Sequence, residues 1–320
     1  MNNPDNMPVD VEEQREWVLA EKSQRGISWA ALGELAGVPG GTLSTFGTGN
    51  YGGNNERVAK LIYRYRQLLA SQAERTHGLV IAPSFFETPT SRRLRALLIV
   101  AHMGRITVGA TGPGTGKTIT LKEYQASVAN CWVATMKPST ETPFAMMKQI
   151  LRALNMTVAG GGKDQLSQLI ADRVRGRRGL LVIDEANHLS LKAIEELRSI
   201  HDDTDVGLAM FGNEELLMRI RGGVRSDAFA RLNSRIAQSH IQNLPLEEDV
   251  EAFCDAWALN DAGMRAMLVR VALTPGAGGL RECRQIVEQA SMLANDEGRP
   301  LNLSDLRDAQ SGRATKHIRG

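Results

Sequence analysis

An eight-residue segment, Thr111 to Thr118, carries the strongest chemical signal in the chain. It reads TGPGTGKT, follows the apolar stretch Ile106–Ala110 and precedes a predicted helix. Closely spaced glycines let a backbone curl so that its N–H groups point at phosphate oxygens, and the helix N-terminus adds a positive dipole end. The lysine reaches the β- and γ-phosphates, and the next hydroxyl is a ligand for Mg²⁺. The segment predicts a nucleotide site formed by Gly112, Pro113, Gly114, Thr115, Gly116, Lys117 and Thr118.

One position of this segment departs from the usual phosphate-binding loop. The pattern G-x-x-x-x-G-K-[ST] begins with glycine, whereas this chain has Thr111 there. We expect the loop to form nevertheless, because Gly112, Gly114 and Gly116 supply backbone flexibility nearby.

Two adjacent carboxylates end a second apolar segment. Leu180–Ile183 is continuously apolar and leads directly into Asp184 and Glu185. Ligands of open α/β sheets bind at the carboxyl ends of the strands. Asp184 would therefore hold Mg²⁺, and Glu185 would polarise the attacking water. A solvated turn is the alternative, but the presence of Lys117 earlier in the chain favours nucleotide hydrolysis.

A third polar residue, Asn213, follows the apolar segment Leu208–Gly212. At the end of a strand it could orient the water that attacks the nucleotide. Asparagine in such a place is also a common turn former, and the order of the motifs along the chain favours the functional interpretation.

Short apolar strands alternate with helices through the middle of the chain. This alternation is typical of α/β proteins, in which a parallel sheet has helices on both faces. Strands are predicted over residues 105–110, 131–136, 179–184, 206–212 and 236–241.

The flanking regions are helical by pattern. Helices are predicted over 11–22, 28–36, 41–46 and 56–73, followed by a proline-bearing linker over 77–89. Residues 247–309 are also helical by pattern, with breaks at 274–279 and 298–300. We expect three domains: residues 1–76 with a helix-turn-helix, an ATPase core over 77–243, and a helical, lid-like domain over 244–320 that ends in a disordered tail.

The composition is that of an ordinary globular protein. Hydrophobic residues make up 42% of the chain, charged residues 23%, and the net charge is +2. Such a mild charge predicts that any DNA-binding surface is a local patch. The three cysteines are widely spaced, which argues against a disulfide framework or a zinc site. The polar N-terminus and the lack of a long apolar run indicate a cytoplasmic protein.

The order of these motifs, Gly116-Lys117-Thr118, then Asp184-Glu185, then Asn213, resembles that of the AAA+ ATPases. More specifically, the chain is similar to the Mu B family of phage transposition proteins. The similarity spans nearly the whole chain and is most specific over residues 105–240. The strings that carry it are Thr42–Ser44, Asn54–Val58, Gly179–Leu189, Gly212–Asn213 and Phe229–Ala237.

The resemblance implies a function in DNA transposition. Proteins of that family bind DNA in an ATP-dependent way, polymerise on it as a helical filament, select target DNA and deliver it to a DDE transposase. These proteins stimulate the transposase, and the transposase in turn stimulates their ATP hydrolysis and the disassembly of the filament. For this chain the resemblance implies ATP and Mg²⁺ as cofactors, double-stranded DNA and a DDE transposase as partners, and ATP bound between subunits of a homo-oligomer in the cytoplasm of a bacterial host.

The resemblance also assigns roles to residues. Lys117 and Thr118 become nucleotide ligands, Asp184 the Mg²⁺ ligand, Glu185 the catalytic base and Asn213 the sensor 1 residue. Two further arginines follow from it. Arg235 is the candidate arginine finger, which would reach a neighbouring subunit's γ-phosphate, with Arg231 as the alternative. Arg281, which follows Gly279-Leu280, resembles the sensor 2 arginine and would touch ATP from the lid. For Arg235 and Arg281, a structural surface position is the competing interpretation.

Several residues are candidates for contacts with DNA. The segment Trp29–Phe46 resembles a helix-turn-helix, whose second helix would offer Thr42 and Ser44. Residues 1–78 hold eight Lys or Arg and nine Asp or Glu, so this module is not an electrostatic anchor and could bind a protein instead. Better candidates for phosphate contacts are basic: Arg173, Arg175, Arg177, Arg221 and Arg225.

Two other functions compete with transposition. A replication helicase loader or initiator ATPase shares the same core motifs. A transcription regulator without enzymatic activity is disfavoured, because Lys117, Glu185 and Asn213 are all present.

Overall fold

The computed structural model describes residues 9–76, 83–158, 160–216, 218 and 233–313. By the density of its internal contacts the chain divides into two compact units, Met1–Leu79 and Val80–Gly320.

The first unit has a small helical core. Its described helices are α1 (Val11–Arg25), α2 (Trp29–Ala36), α3 (Gly40–Gly47) and α4 (Asn55–Thr76). The Ser28 side chain accepts a hydrogen bond from Ala31 N and caps α2, as serine commonly does at a helix N-terminus. Gly37 then ends α2 in the left-handed conformation, with φ 68°. Fully buried side chains from all four helices form the core: Val18, Leu32, Leu43, Phe46 and Ile62.

The second unit is built on a five-stranded parallel sheet. The strands are β1 (Ile106–Thr111), β2 (Cys131–Thr135), β3 (Leu180–Asp184), β4 (Gly207–Gly212) and β5 (Ile236–Gln242). Their spatial order is β2-β3-β4-β1-β5, and every described pair of neighbours is parallel. Strand β4 therefore lies between the strand that precedes the glycine-rich loop and the strand that ends in Asp184.

Helices cover both faces of this sheet. They are α5 (Pro89–His102), α6 (Lys117–Ser127), α7 (Pro143–Ala153), α8 (Lys163–Val174) and α9 (Leu191–Thr204). Side chains of a strand point alternately to opposite faces. In β3, Leu180 and Val182 pack with α5 and α6, whereas Leu181 and Ile183 pack with α7, α8 and α9. The strand is apolar throughout because both of its faces are buried.

A separate helical core follows the sheet. It is formed by α10 (Glu247–Ala256), α11 (Ala262–Ala272), α12 (Leu280–Asp296) and α13 (Leu303–Gly312). Phe253, Leu268 and Ile286 are buried at its centre.

The structure confirms the predicted α/β class with helices on both faces of a parallel sheet, together with helical regions at both ends. The predicted linker is wrong at its end, because Pro89 is the first residue of α5. Thr88 caps this helix and Ser91 completes a capping box, and proline is favoured at a first helical position because it has no N–H to leave unpaired. Among the described residues, none of the helices is long and apolar enough to cross a membrane.

Candidate functional site

The glycine-rich loop connects β1 to α6 in the predicted way. Strand β1 ends at Thr111, and α6 begins at Lys117. Gly116 precedes the helix in the left-handed conformation, with φ 86°. The Thr115 hydroxyl donates to Gly112 O at 3.0 Å and closes the loop. The first N–H groups of α6 have no partner within the helix, so this end of the sheet can bind an anion.

Thr111 fits because it belongs to the strand rather than to the loop. It pairs with Gln242 of β5, and the turn begins one residue later, where Gly112 N donates to Gln242 O at 2.9 Å. A threonine in extended backbone carries no strain. Its Oγ1 is buried and has no hydrogen-bond partner among the described residues.

The carboxylates that end β3 meet the start of α6. The Thr118 hydroxyl donates to Asp184 Oδ2 at 3.1 Å. Lys117 Nζ lies 3.2 Å from Glu185 Oε1 and 3.8 Å from Asp184 Oδ1. Asp184 is 1% exposed, and this burial raises its pKa, against the lowering effect of the Lys117 charge. The two motifs thus form one charged centre in which an ammonium group and two carboxylates lie together.

Glu185 leaves the strand in an unusual backbone conformation. Its φ of 55° lies in the left-handed region, which costs a residue with a side chain about 1 kcal/mol. The Glu185 N–H donates to Asp184 Oδ1 at 3.0 Å. Residues held in sparsely populated conformations cluster at functional sites, and here the turn brings the Glu185 carboxylate to Lys117.

Asn213 follows β4 and lies at the same end of the sheet. Its backbone N–H donates to Asn187 Oδ1 at 3.3 Å. Its own Oδ1 is buried and has no partner among the described residues. Buried polar atoms without a partner are rare in proteins, so the Asn213 and Thr111 oxygens mark a place where a polar ligand or water would complete the site.

A cavity of about 590 Å³ opens beside the loop. Lys117, Thr118, Glu185, Asn213 and Arg281, all predicted site residues, contribute to its lining. Aromatic residues form the other part of its wall, and sequence reasoning missed them: Phe85, Phe86, Phe253 and Trp257. The Phe253 and Trp257 rings stack with centroids 5.2 Å apart. Two adjacent phenylalanines in a proline-bearing segment, in a chain with only 5% aromatic residues, were the available signal.

The C-terminal helices contact the loop directly. Leu280 N donates to Gly114 O at 2.9 Å. A Cβ atom at Gly114 would lie 1.8 Å from Gly278 O, so only glycine permits this approach. Gly279 precedes α12 with φ 62° and ψ −140°, a combination restricted to glycine. The Gly279-Leu280-Arg281 motif thus places Arg281 at the cavity, where it is exposed.

A buried polar network supports the base of the loop. Asp249, which is 0% exposed, accepts hydrogen bonds from Thr90 N at 2.9 Å and Leu246 N at 2.8 Å. Gln242 Nε2 donates to Thr90 Oγ1 at 2.6 Å, and Gln242 O accepts from Gly112 N. The network joins α5, β5 and α10 to the loop, and nothing in the sequence indicated it.

Comparisons with known proteins agree with this architecture. A model of the AAA domain matches residues 106–220, and a model described as Mu B transposition protein, C terminal, matches residues 234–312. The ATP-dependent target DNA activator B of Escherichia phage Mu is 34% identical over 275 residues, 86% of each chain. The Mu-like prophage FluMu DNA transposition protein B of Haemophilus influenzae is 35% identical over 261 residues, 81% of this chain and 90% of the relative. The chain belongs to the Mu B family of phage transposition proteins. Its core is an AAA+ P-loop fold.

In this Mu B family chain, Arg235 lies far from its own nucleotide site. It precedes β5, whose first residue, Ile236, pairs with Ile106 at the start of β1. The P-loop follows the other end of β1. With about 3.3 Å per residue, the six residues of β1 place Arg235 roughly 20 Å from the loop. Any role of Arg235 in hydrolysis must therefore concern another subunit.

The predicted DNA contacts are distributed over both units. Thr42 and Ser44 are half-buried on α3. Arg175 pairs with Asp203 at 2.6 Å and with Asp172 at 3.8 Å, which neutralises part of its charge. Among the other candidates, Arg173 is half-buried and Arg177 is exposed. Arg221, Arg225 and the alternative finger Arg231 lie outside the described residues.

Replacing Asp184 with Asn should stabilise the nucleotide-free chain. A carboxyl whose folded pKa is raised binds its proton more tightly in the folded state, so stability falls as pH rises through that pKa. Asn removes the buried charge, and we expect about 0.5–2 kcal/mol of added stability, the usual size of a single stabilising change. The measurement is thermal unfolding without nucleotide at neutral pH, with Asp203→Asn on the surface as the control. A lower Tm would mean that the attraction between Lys117 and the Asp184 carboxylate stabilises the fold by more than burial of that charge costs.

Replacing Gly279 with Ala should weaken ATP binding. Alanine is strained at this φ and ψ, and its Cβ would lie 2.9 Å from Pro113 O, so Leu280 N moves away from Gly114 O. We expect the Kd for a fluorescent ATP analogue to rise about tenfold, equivalent to about 1.4 kcal/mol. Gly298→Ala is the matched control, since Gly298 also has a positive φ of 65° but no atom within 4 Å of the added Cβ. Equal Kd values for the two variants would mean that the hydrogen bond from Leu280 N to Gly114 O does not support ATP binding.

Proposed function

We propose that this chain is an ATP-hydrolysing protein that binds DNA in its ATP-bound, assembled form and activates target DNA for a transposase. The ATPase part rests on one observation: the P-loop contacts the carboxylates at the end of β3, where the Thr118 hydroxyl lies 3.1 Å from Asp184 Oδ2. The names of the relatives, ATP-dependent target DNA activators of phages Mu and D108, support the transposition part.

The triphosphate would lie along the loop. The backbone N–H groups of Gly114, Thr115 and Gly116 and the N-terminus of α6 would face it. Lys117 would exchange its contacts with Asp184 and Glu185 for contacts with the β- and γ-phosphates. The nucleobase would occupy the aromatic part of the cavity, next to Phe253 and Trp257.

The donor set near Lys117 suits Mg²⁺. A hydroxyl and a carboxylate oxygen are hard oxygen ligands of the kind this ion prefers. Thr118 and Asp184 would hold the ion, which when bound neutralises charge on the phosphate oxygens. Glu185 would accept a proton from the attacking water, and Asn213 Oδ1, which has no partner in the described part of the chain, would accept a second hydrogen bond from the same water.

Hydrolysis would require a second subunit. Arg235 lies at the opposite end of the sheet from its own loop, so we propose that it serves as the arginine finger for a neighbour, with ATP between subunits. Arg281 would contact the same nucleotide from the helical domain. Repetition of this head-to-tail contact generates a ring or a helical filament, and a filament on double-stranded DNA fits a protein that presents target DNA to a DDE transposase.

Contacts to DNA would be largely independent of base sequence. The recognition-like helix α3 carries hydroxyl side chains and lacks arginine, whereas the basic candidates lie in the second unit. Phosphate contacts by arginine make binding non-specific and strongly dependent on salt.

The proposal is tested by binding to a random-sequence duplex with ATP, with ADP and without nucleotide. We expect cooperative binding and filaments only with ATP, measured by fluorescence anisotropy and negative-stain imaging, and weaker binding as salt is raised. The control is Lys117→Ala, which should bind DNA no better with ATP than without it. Binding that ignores nucleotide, or that is confined to one short sequence, would overturn the filament proposal and favour a helicase loader or a regulator.

A further inference from the structure

The candidate finger is held by an acidic side chain of its own subunit. Arg235 Nη1 lies 3.0 Å from Asp202 Oδ1, near the end of α9. The Arg235 side chain is 49% exposed and that of Asp202 is 26% exposed. The arginine therefore has a fixed partner and still faces outward.

Asp202 is itself held in place along α9. Arg198 Nη1 donates to Asp202 Oδ2 at 2.5 Å, and Arg198 Nε donates to Glu195 Oε2 at 3.1 Å. Glu195, Arg198, Asp202 and Arg235 thus form a line of alternating charges, of which the first three lie on one helix. Ion pairs organised in a network hold their geometry better than isolated surface pairs.

Helix α9 is a rigid support for this line. Ile194, Leu197 and Ile200 on the helix are buried in the core of the second unit. The helix begins at Leu191, six residues after Glu185, and its fourteen residues span about 21 Å. It therefore connects the nucleotide end of the sheet to the opposite end, where Arg235 lies.

We infer that Asp202 is a positioning residue, which holds Arg235 in the orientation required by the ATP of a neighbouring copy of this chain. The inference rests on the proposed role of Arg235 as a finger acting between subunits. A guanidinium has five N–H donors in a fixed planar fork. A bond from Nη1 to Asp202 leaves donors free for the phosphate, and it limits the rotamers of a long side chain that would otherwise have to be ordered during the reaction.

The test is Asp202→Ala, with Asp203→Ala as the matched control. Asp203 is the next residue of the same helix and pairs with an arginine other than the candidate finger, Arg175, at 2.6 Å. Alanine is favoured in helices, so neither change should unfold α9. We expect Asp202→Ala to lower the kcat of DNA-stimulated ATP hydrolysis about tenfold, less than the roughly 10²-fold that a 1 Å misplacement of a catalytic group can cost. The KM for ATP and the affinity of a fluorescent ATP analogue should stay within about twofold of wild type.

Two further variants separate positioning from a general structural role. Asp202→Glu should restore most of the kcat, because it keeps the charge. In an Arg235→Ala background, Asp202→Ala should have no further effect, since a positioning residue acts only through the group it positions.

Each other outcome has a defined meaning. If Arg235→Ala is inactive and Asp202→Ala is not impaired, the inference about Asp202 is wrong while the finger stands. If Arg235→Ala hydrolyses ATP like wild type, the finger proposal fails and the inference falls with it. A raised KM, or an additive loss in the double variant, shows that Asp202 acts through nucleotide binding or folding and overturns the positioning role.

Discussion

Replacing Glu185 with Gln is expected to stop ATP hydrolysis while ATP binding persists. Gln is nearly isosteric but cannot accept the proton of the attacking water, and loss of a general base typically lowers a rate by 10²–10⁴-fold. Lys117 also loses an ionic partner 3.2 Å away, which favours rather than opposes its contact with phosphate. Steady-state phosphate release should therefore fall by about 10²–10⁴-fold, and the affinity for a fluorescent ATP analogue should not fall.

The same variant should trap the ATP-bound state on DNA. If hydrolysis ends DNA binding, complexes of Glu185→Gln with a random-sequence duplex should dissociate much more slowly in ATP than those of wild type. The control is Glu123→Gln, an exposed carboxylate on α6 that does not line the nucleotide cavity. A loss of hydrolysis smaller than about tenfold would exclude Glu185 as the base and direct attention to another proton acceptor.

Replacing Arg235 with Ala is expected to abolish hydrolysis by the assembled protein without affecting ATP binding by a single subunit. An arginine finger is worth 10³–10⁵ in kcat, and Arg235, the proposed finger, lies roughly 20 Å from its own loop by the strand rise. Phosphate release in the presence of DNA should therefore fall by about 10³-fold or more. Arg105→Ala is the matched control, because Arg105 is exposed and directly precedes β1, the strand next to β5.

Mixing two inactive variants tests whether the finger acts between subunits. We expect Lys117→Ala subunits to lose ATP binding but keep Arg235, and Arg235→Ala subunits to bind ATP but lack the proposed finger. Interfaces that combine one of each kind contain a complete site, so the mixture should hydrolyse ATP faster than either variant alone. No gain on mixing, together with full activity of Arg235→Ala alone, would leave Arg231 as the residue to test next.

Much of the nucleotide site could be predicted from local sequence. Gly116, Lys117 and Thr118 belong to a loop whose backbone is set by neighbouring residues, and Asp184 and Glu185 stand at the end of an apolar run that is visible in the sequence. The continuous apolar character of β3 reflects burial of both faces, which is why the α/β class was also predictable. The departure at Thr111 could be recognised from the sequence, but its consequence could not, because it depends on where β1 ends.

The parts that sequence reasoning missed depend on residues far apart in the chain. Phe86 and Phe253 meet with ring centroids 5.9 Å apart, although 167 positions separate them in the sequence. The hydrogen bonds from Thr90 to Asp249 and from Leu280 to Gly114 also join residues that are far apart in the sequence. Periodicity and motif spacing describe only neighbours along the chain, so they carry no information about such contacts.

Residue types and motif spacing were enough to name candidate side chains for nucleotide chemistry and to predict that parallel strands bring the ends of β1, β3 and β4 to one edge. The position of β4 between β1 and β3 is visible only in the folded chain, and it puts Asn213 at the end of the strand that lies between those leading to the P-loop and to Asp184. The folded chain also places Arg235 at the opposite edge, where it is held by Asp202. Hydrophobic alternation and backbone preference are local, whereas strand order follows from the packing of all helices against both faces at once.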